Sequence, residues 1–327
     1  MPLFFIISGI FISGGLKRKG LDGYVAHRAN TVLYPLLVWG FIEISLQLLA
    51  SRFTNNTVSR MNYINLFIDA RKTGHFWYLN ALFFIGITYA FCKAYLKLKP
   101  WQQLILGAVL YAISSYIKVN NLYAGSLTDI FEFYLFFSIG DVISNLALNE
   151  RNFNRFASFK IFFPLLALFL VLQYRFAYYN LHGGVEGINY VEHKMPFFFL
   201  LEALVGCTIS MNFSFLLQKY NALRFLRIIG FHSLYIYCMQ IIVMTMARIV
   251  LVNVLKITYV PALIVFIWSA GIFIPMAFYN YCMKHKMWWL FTYKKPKELL
   301  QEPEIVTTPP PPEAVTIALP NRLLPPV

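Results

Sequence analysis

The sequence predicts an all-α integral membrane protein, and three observations carry that prediction. Apolar residues make up 59% of the 327-residue chain and charged residues only 13%, where a soluble domain carries about a quarter. The apolar residues fall in runs of roughly 20 without strand-like alternation, the length an α-helix needs to cross hydrocarbon. Lys and Arg collect in the short segments between the runs, as in loops held at a membrane surface. Backbone amides in lipid need internal partners, so such runs are expected as helices.

The first run, MPLFFIISGIFISGG, closes on Lys17, Arg18 and Lys19. A cleaved export signal has its basic end first and a small-residue cleavage site last. Here the order is reversed, so the stretch reads as the tail of a membrane helix. Eight further spans are expected at residues 31–50, 76–95, 101–118, 129–148, 159–180, 195–217, 229–254 and 259–283, each bounded by charges, Asn/Gly or Pro. That makes about nine transmembrane helices. From residue 296 onward the chain is rich in Pro, with four in a row at 309–312, and such tracts favour extended, solvated polyproline structure. The expected organisation is a polytopic membrane domain over 1–295 and a disordered tail over 296–327.

The net charge of +14 does not indicate nucleic acid, because the basic residues lie in clusters between apolar runs. Those clusters set an orientation. One set of loops holds 18 Lys and Arg, among them Lys17 to Lys19, Arg28, Lys93, Arg151, Arg224 and Lys284; the alternate set holds 9, among them Arg71, Lys118 and Lys194. The first set is expected on the cytoplasmic side, with the C-terminus inside and Met1 outside. A start outside without a signal is hard to build, so an additional span upstream of Met1 is expected; the alternative is a nine-span protein whose first helix is short. The four cysteines lie in or beside apolar runs without CxxC spacing, which fits small core hydrophobes and no metal site.

Ionisable residues within spans are functional candidates by default. Glu43, Asp141 and Glu202 qualify, whereas Arg175 lies near a span end and can snorkel. In LDGYVAHRANTVLYPLLVWG, His27 and Arg28 are expected at the cytoplasmic mouth of a helix, where a guanidinium can grip a phosphate or act as a plain interfacial anchor. In TGHFWYLNALFF, an aromatic belt accounts for Trp77 and Tyr78 but not for His75, a candidate general base. There is no GxSxG, HExxH or P-loop motif.

Four stretches resemble motifs of the membrane acyltransferase 3 family, which O-acetylates cell-surface carbohydrates. MPLFFIISGIFIS resembles that family's MPLFFFLSGFL, and YVAHRANTVLYPLLVWG resembles its Arg-containing entry to the next helix. GHFWYLNALFF is similar to its hlWFLpaLf, and IGFHSLYIYCMQII to its lGknSl.iYllH. They occur in family order from residue 1 to about 243.

The resemblance implies ten spans and transfer of an acyl group, usually acetyl from cytoplasmic acetyl-CoA, to a hydroxyl of an extracytoplasmic polysaccharide or exopolysaccharide. It also implies a bacterial inner membrane, membrane lipid as the surroundings, acetyl-CoA as co-substrate rather than a bound cofactor, and polysaccharide assembly proteins as partners. Arg28 corresponds to the first Arg of an RxxR motif tied to the acyl donor, with Thr31 in place of the second. Trp77 and Tyr78 match the aromatic pair. Tyr237 matches the family's Tyr, but the following His is replaced by Gln240. The family places its catalytic His on a helix upstream of the MPLFF stretch, so within this chain His75 is the candidate base. Ser8, Arg28 and Tyr237 are candidate oxyanion donors, and Glu43 a candidate cavity residue. Two other readings remain open: a transporter or flippase of a glycan or lipid-linked sugar with Glu43, Asp141 and Glu202 along its path, and a catalytically inactive membrane subunit of a polysaccharide assembly complex.

Overall fold

The computed structural model describes residues 1–50, 59–183 and 189–295, and the expectation for the 296–327 tail falls outside them. Residues Met1–Lys294 form one compact unit. Among the described residues there are helices and no strands.

Each expected span is a helix. They are α1 (Pro2–Ile10), α3 (Tyr34–Ala50), α5 (Trp77–Ala94), α6 (Pro100–Val119), α7 (Ser126–Ala147), α9 (Phe159–His182), α11 (Pro196–Lys219), α13 (Ser233–Ile249) and α14 (Val260–Lys284). Four others join them: α2 (Ile12–Arg28), α4 (Asn62–Ile68), α8 (Glu150–Phe156) and α10 (Tyr190–Lys194); a further short one, α12 (Phe225–Phe231), precedes α13. Six described helical segments are long and apolar enough to cross a membrane by themselves. α1 is too short for that, while α5 and α6 carry more polar residues (Asn80, Lys93, Gln102, Gln103). α5 compensates by being enclosed, with Tyr78, Asn80, Ile85 and Tyr89 all buried. Of α9 only Leu172 and Asn180 are buried, and its bare Phe163, Leu170 and Val171 are the kind of surface that lipid covers. The chain is an integral membrane protein.

α7 runs through the centre, packed by α1, α5 and α6. α1 approaches it without intervening side chains: a Cβ added at Gly9 would lie 2.0 Å from the Phe137 carbonyl oxygen, and one at Gly140 would lie 2.1 Å from that of Ile6. Small residues permit such contact where helices gain no hydrophobic drive from lipid. One turn away, the Phe5 and Phe133 rings stack at 4.6 Å.

At the α2–α3 boundary the structure departs from expectation. Residues 14–28 read as the end of the first run, a basic loop and a helix mouth, yet 12–28 are helical, broken only at Gly20, whose φ of 66° suits glycine. Beyond Gly20 one helix runs into α3 through a widened turn at Ala29–Leu33, where the Tyr34 amide reaches back to the Ala29 carbonyl. The i→i+5 bond marks a π-turn, a feature found disproportionately at functional sites. His27 and Arg28 therefore lie within a continuous helix and not at its mouth.

At the end of the bundle that holds Lys93, Asp141 is fully partnered. Lys93 Nζ lies 2.5 Å from one carboxylate oxygen, the Tyr89 hydroxyl donates to it at 2.8 Å, and Ser13 donates to the other. A buried carboxylate so enclosed acts as an interhelical tie.

Candidate active site

His75 is positioned by the chain just before it. The turn Ala70–Thr73 is pinned by the Ala70 amide donating to Ser126 Oγ at 3.0 Å and by Thr73 Oγ1 donating to the Ala70 carbonyl at 2.8 Å. Gly74 then takes φ 90°, which redirects the chain. Asn80 Nδ2, one turn into α5, donates to the Leu66 carbonyl at 2.9 Å and ties α5 to α4.

The imidazole projects towards α3 and α13. Its Nε2 lies 3.0 Å from the Tyr237 carbonyl oxygen, and the Tyr237 hydroxyl in turn donates to the His75 carbonyl. A carbonyl only accepts, so Nε2 carries the hydrogen and Nδ1 keeps the lone pair. Nδ1 faces Glu43 Oε1 at 3.9 Å. Burial pushes the His75 imidazole down to about 4, and the bond to Tyr237 offsets part of that shift. At neutral pH it is an uncharged base. Glu43 is 4% exposed; Gln47 Nε2 donates to its Oε1 at 3.1 Å, while Oε2 has no partner among the described residues. A carboxylate with an open acceptor beside an imidazole lone pair can stabilise the imidazolium formed when that lone pair takes a proton.

Tyr78 packs beside the pair, edge-on to Tyr237 at 5.4 Å and to Phe5 at 5.3 Å. Trp77 points elsewhere: the Arg71 guanidinium lies 4.7 Å from its ring centroid. The aromatic pair is thereby divided between two neighbouring sites.

Arg28 is half-buried between α2 and α5. Its Nε donates to the Tyr24 hydroxyl at 2.9 Å, and a Cβ on Gly86 would lie 3.7 Å from it. Gly86 is about 13 Å along α5 from Trp77 at 1.5 Å per residue, roughly halfway through the helix. Among the described residues no carboxylate lies within ion-pair distance of Arg28, which leaves its terminal nitrogens open. Thr31 Oγ1 folds back onto the His27 carbonyl at 2.9 Å inside the π-turn, and His27 is exposed. Ser8 and Gln240 are half-buried on α1 and α13, and no hydrogen bond joins either to His75 or Arg28 among the described residues. Glu202 is buried with Oε2 unpartnered and lines a separate cleft with Gln173 and Ser210. The four cysteines are free and buried.

Sequence reasoning missed an ion-pair network beside His75. Arg71 Nε donates to Asp129 at 2.8 Å and its NH2 lies 3.1 Å from Glu192. Lys118 reaches Glu192 at 2.7 Å and also Glu132. Burial favours protonation of Glu192, but Lys118 and Arg71 outweigh it and hold the carboxyl down at about 2.

A neutral, half-buried imidazole beside a carboxylate, together with an arginine that has no carboxylate partner among the described residues, within a lipid-embedded helical bundle, defines a candidate group-transfer site in an integral membrane protein. Residues 1–290 match the family model described as an acyltransferase domain. The chain belongs to the membrane acyltransferase 3 family, and its class is that of a membrane acyltransferase. Neither the comparison with curated proteins nor that with solved structures returns a match.

Proposed function

We propose that the protein moves an acetyl group from cytoplasmic acetyl-CoA to a hydroxyl of a cell-surface glycan, across a bacterial inner membrane with the C-terminus inside. The observation that carries this reading is the His75–Glu43 pair, whose basic nitrogen faces a buried carboxylate at 3.9 Å. In the forward step an acceptor hydroxyl attacks the thioester carbonyl as His75 Nδ1 takes its proton. Collapse of the tetrahedral adduct releases the CoA thiolate, which recovers that proton. Glu43 stabilises the imidazolium between the two steps. Arg28 holds a phosphate of the donor, and Tyr237 and Tyr78 wall the pocket against water.

Trp77, the first residue of α5 and two beyond His75, is about 13 Å along the helix from Gly86 at helical rise, a distance that an extended phosphopantetheine arm can span between Arg28 and the imidazole. The test is release of free CoA thiol from acetyl-CoA by the purified protein in the presence of a membrane glycan fraction. Acceptor-dependent release in wild type that is absent in His75→Ala supports the reading. Glycan transport without CoA release favours the transporter reading, and full activity in His75→Ala would put the base on another residue.

A further inference from the structure

At the His75 end lies a second cavity that the proposed chemistry does not use. It is a cleft of about 400 Å³ between the Ala70–Thr73 turn, the end of α6 and the start of α7, with Arg71, Lys72, Asn121, Tyr123, Thr128 and Asp129 on its walls. Trp77 connects it to the candidate active site, since the Arg71 guanidinium covers that ring while the adjacent Tyr78 packs on Tyr237.

Two features identify what the cleft takes. Its charges are already paired. Lys72 lies 2.9 Å from Asp69, Arg71 2.7 Å from Asp129, and Lys118 2.7 Å from Glu192 behind the wall. A charged ligand must compete with these ion pairs, whereas a polyol finds donors and acceptors already held in place by their own pairing. The second feature is Tyr123, 71% exposed yet fixed: its hydroxyl donates to Asp69, and Lys72 Nζ stands 4.8 Å from the ring centroid. A rigid, solvent-facing aromatic ring presents an apolar face with a polar edge at little entropic cost. Together they match the alternating C–H and O–H faces of a pyranose ring, and the volume is in the range of small-ligand clefts.

We propose that this cleft is a docking subsite for an uncharged sugar unit of the acceptor, stacked on Tyr123 and hydrogen-bonded by Arg71, Asn121 and Asp129, one step away from His75. The acceptor role rests on the acyl-transfer reading above, but sugar binding does not.

The experiment is binding of the full chain in lipid nanodiscs to an array of neutral oligosaccharides (hexose, N-acetylhexosamine, deoxyhexose) and acidic ones (hexuronate, sialylated), with no acyl donor present. Neutral glycans are expected to be retained. Tyr123→Ala should lower that binding at least tenfold, Tyr123→Phe should keep most of it, and Thr128→Met, which fills the cleft without altering the ring, should lower it too. Retention of acidic glycans alone, no retention of any glycan, or binding indifferent to both Tyr123→Ala and Thr128→Met overturns the proposal. Array binding that depends on Tyr123 in a protein that never releases CoA would leave the subsite standing and remove the acyl-transfer reading. Acyl transfer without Tyr123-dependent binding would do the reverse.

Discussion

His75 and Tyr237, 162 positions apart in the chain, hold each other by reciprocal hydrogen bonds, imidazole Nε2 to the Tyr237 carbonyl at 3.0 Å and Tyr237 hydroxyl to the His75 carbonyl. The pairing fixes the ring orientation and leaves Nδ1 as the basic nitrogen. Removing the base should be costly. His75→Ala is expected to lower acceptor-dependent CoA release by about 10²–10⁴-fold, the usual contribution of a positioned general base. Glu43→Gln, which keeps the shape and removes the charge, should cost less, with KM for acetyl-CoA unchanged.

The low pKa of His75 makes two pH signatures. In the proposed mechanism its neutral form is the base, so the rate should rise with pH through about 4 and show no inflection near the ordinary histidine value of about 6.5. For stability the sign is the same. The folded-state pKa lies below the unfolded one, so between about 4 and about 6.5 the unfolded chain binds more protons, and stability is lost as pH falls through that window. Urea or thermal melts in detergent from pH 7 to pH 4 test this, and His75→Gln should flatten the slope. An unchanged slope in the variant would assign the pH dependence to another group.

Arg28 is expected to act on donor binding. Arg28→Ala should raise KM for acetyl-CoA by about 10- to 100-fold, corresponding to about 1.5–3 kcal/mol for a hydrogen bond to a charged group. Arg28→Lys should rescue little, because a point charge cannot reproduce a bidentate fork. Equal KM in wild type and Arg28→Ala would remove Arg28 from the donor site.

Close approach of α1 to α7 depends on Gly9 and Gly140. Alanine at either position places a methyl against backbone oxygen at about 2 Å, which the flanking helices relieve only by moving apart. Destabilisation of about 1–3 kcal/mol or more is expected, measured as a lowered melting temperature. Gly14→Ala, where the added methyl meets nothing within 4 Å, is the control and should be near neutral.

Lys118 is 9% exposed and bridges Glu132 and Glu192. Lys118→Met leaves the buried Glu132 without its cation and should cost about 3–5 kcal/mol. Adding Glu132→Leu should recover most of that loss, because the uncompensated charge is gone. A double variant as unstable as the single would mean that the pair is held for its geometry and not for charge balance.

Span positions were legible because they depend on local quantities. The runs at 159–180 and 259–283 appear as Phe159–His182 and Val260–Lys284, since about 20 apolar residues satisfy the length and the backbone hydrogen bonding together. The stretch 12–28 was not legible as helix. Its Gly-Gly pair and basic cluster resemble a loop, and only packing on α5 shows that Tyr24 is buried against the bundle. The site was legible in part. His75 stood out as a histidine that an aromatic belt does not require, but Glu192, Asp129 and Lys118 look in sequence like ordinary loop-end charges.

By itself the sequence determined that this chain lives in lipid, that its spans are helical, and that its motifs resemble those of a membrane acyltransferase, all properties written in short windows of composition and order. Only the tertiary structure decided which ionisable groups work together. It saturated Asp141 with Lys93, Tyr89 and Ser13, left Glu43 half-partnered beside His75, drew Arg28 from a helix mouth into a continuous helix, and tied Arg71 and Lys118 to Asp129, Glu132 and Glu192. These pairings join residues up to 128 positions apart. In a bundle of packed helices the partner of a buried charge is set by which faces meet, and no local window of the chain contains that.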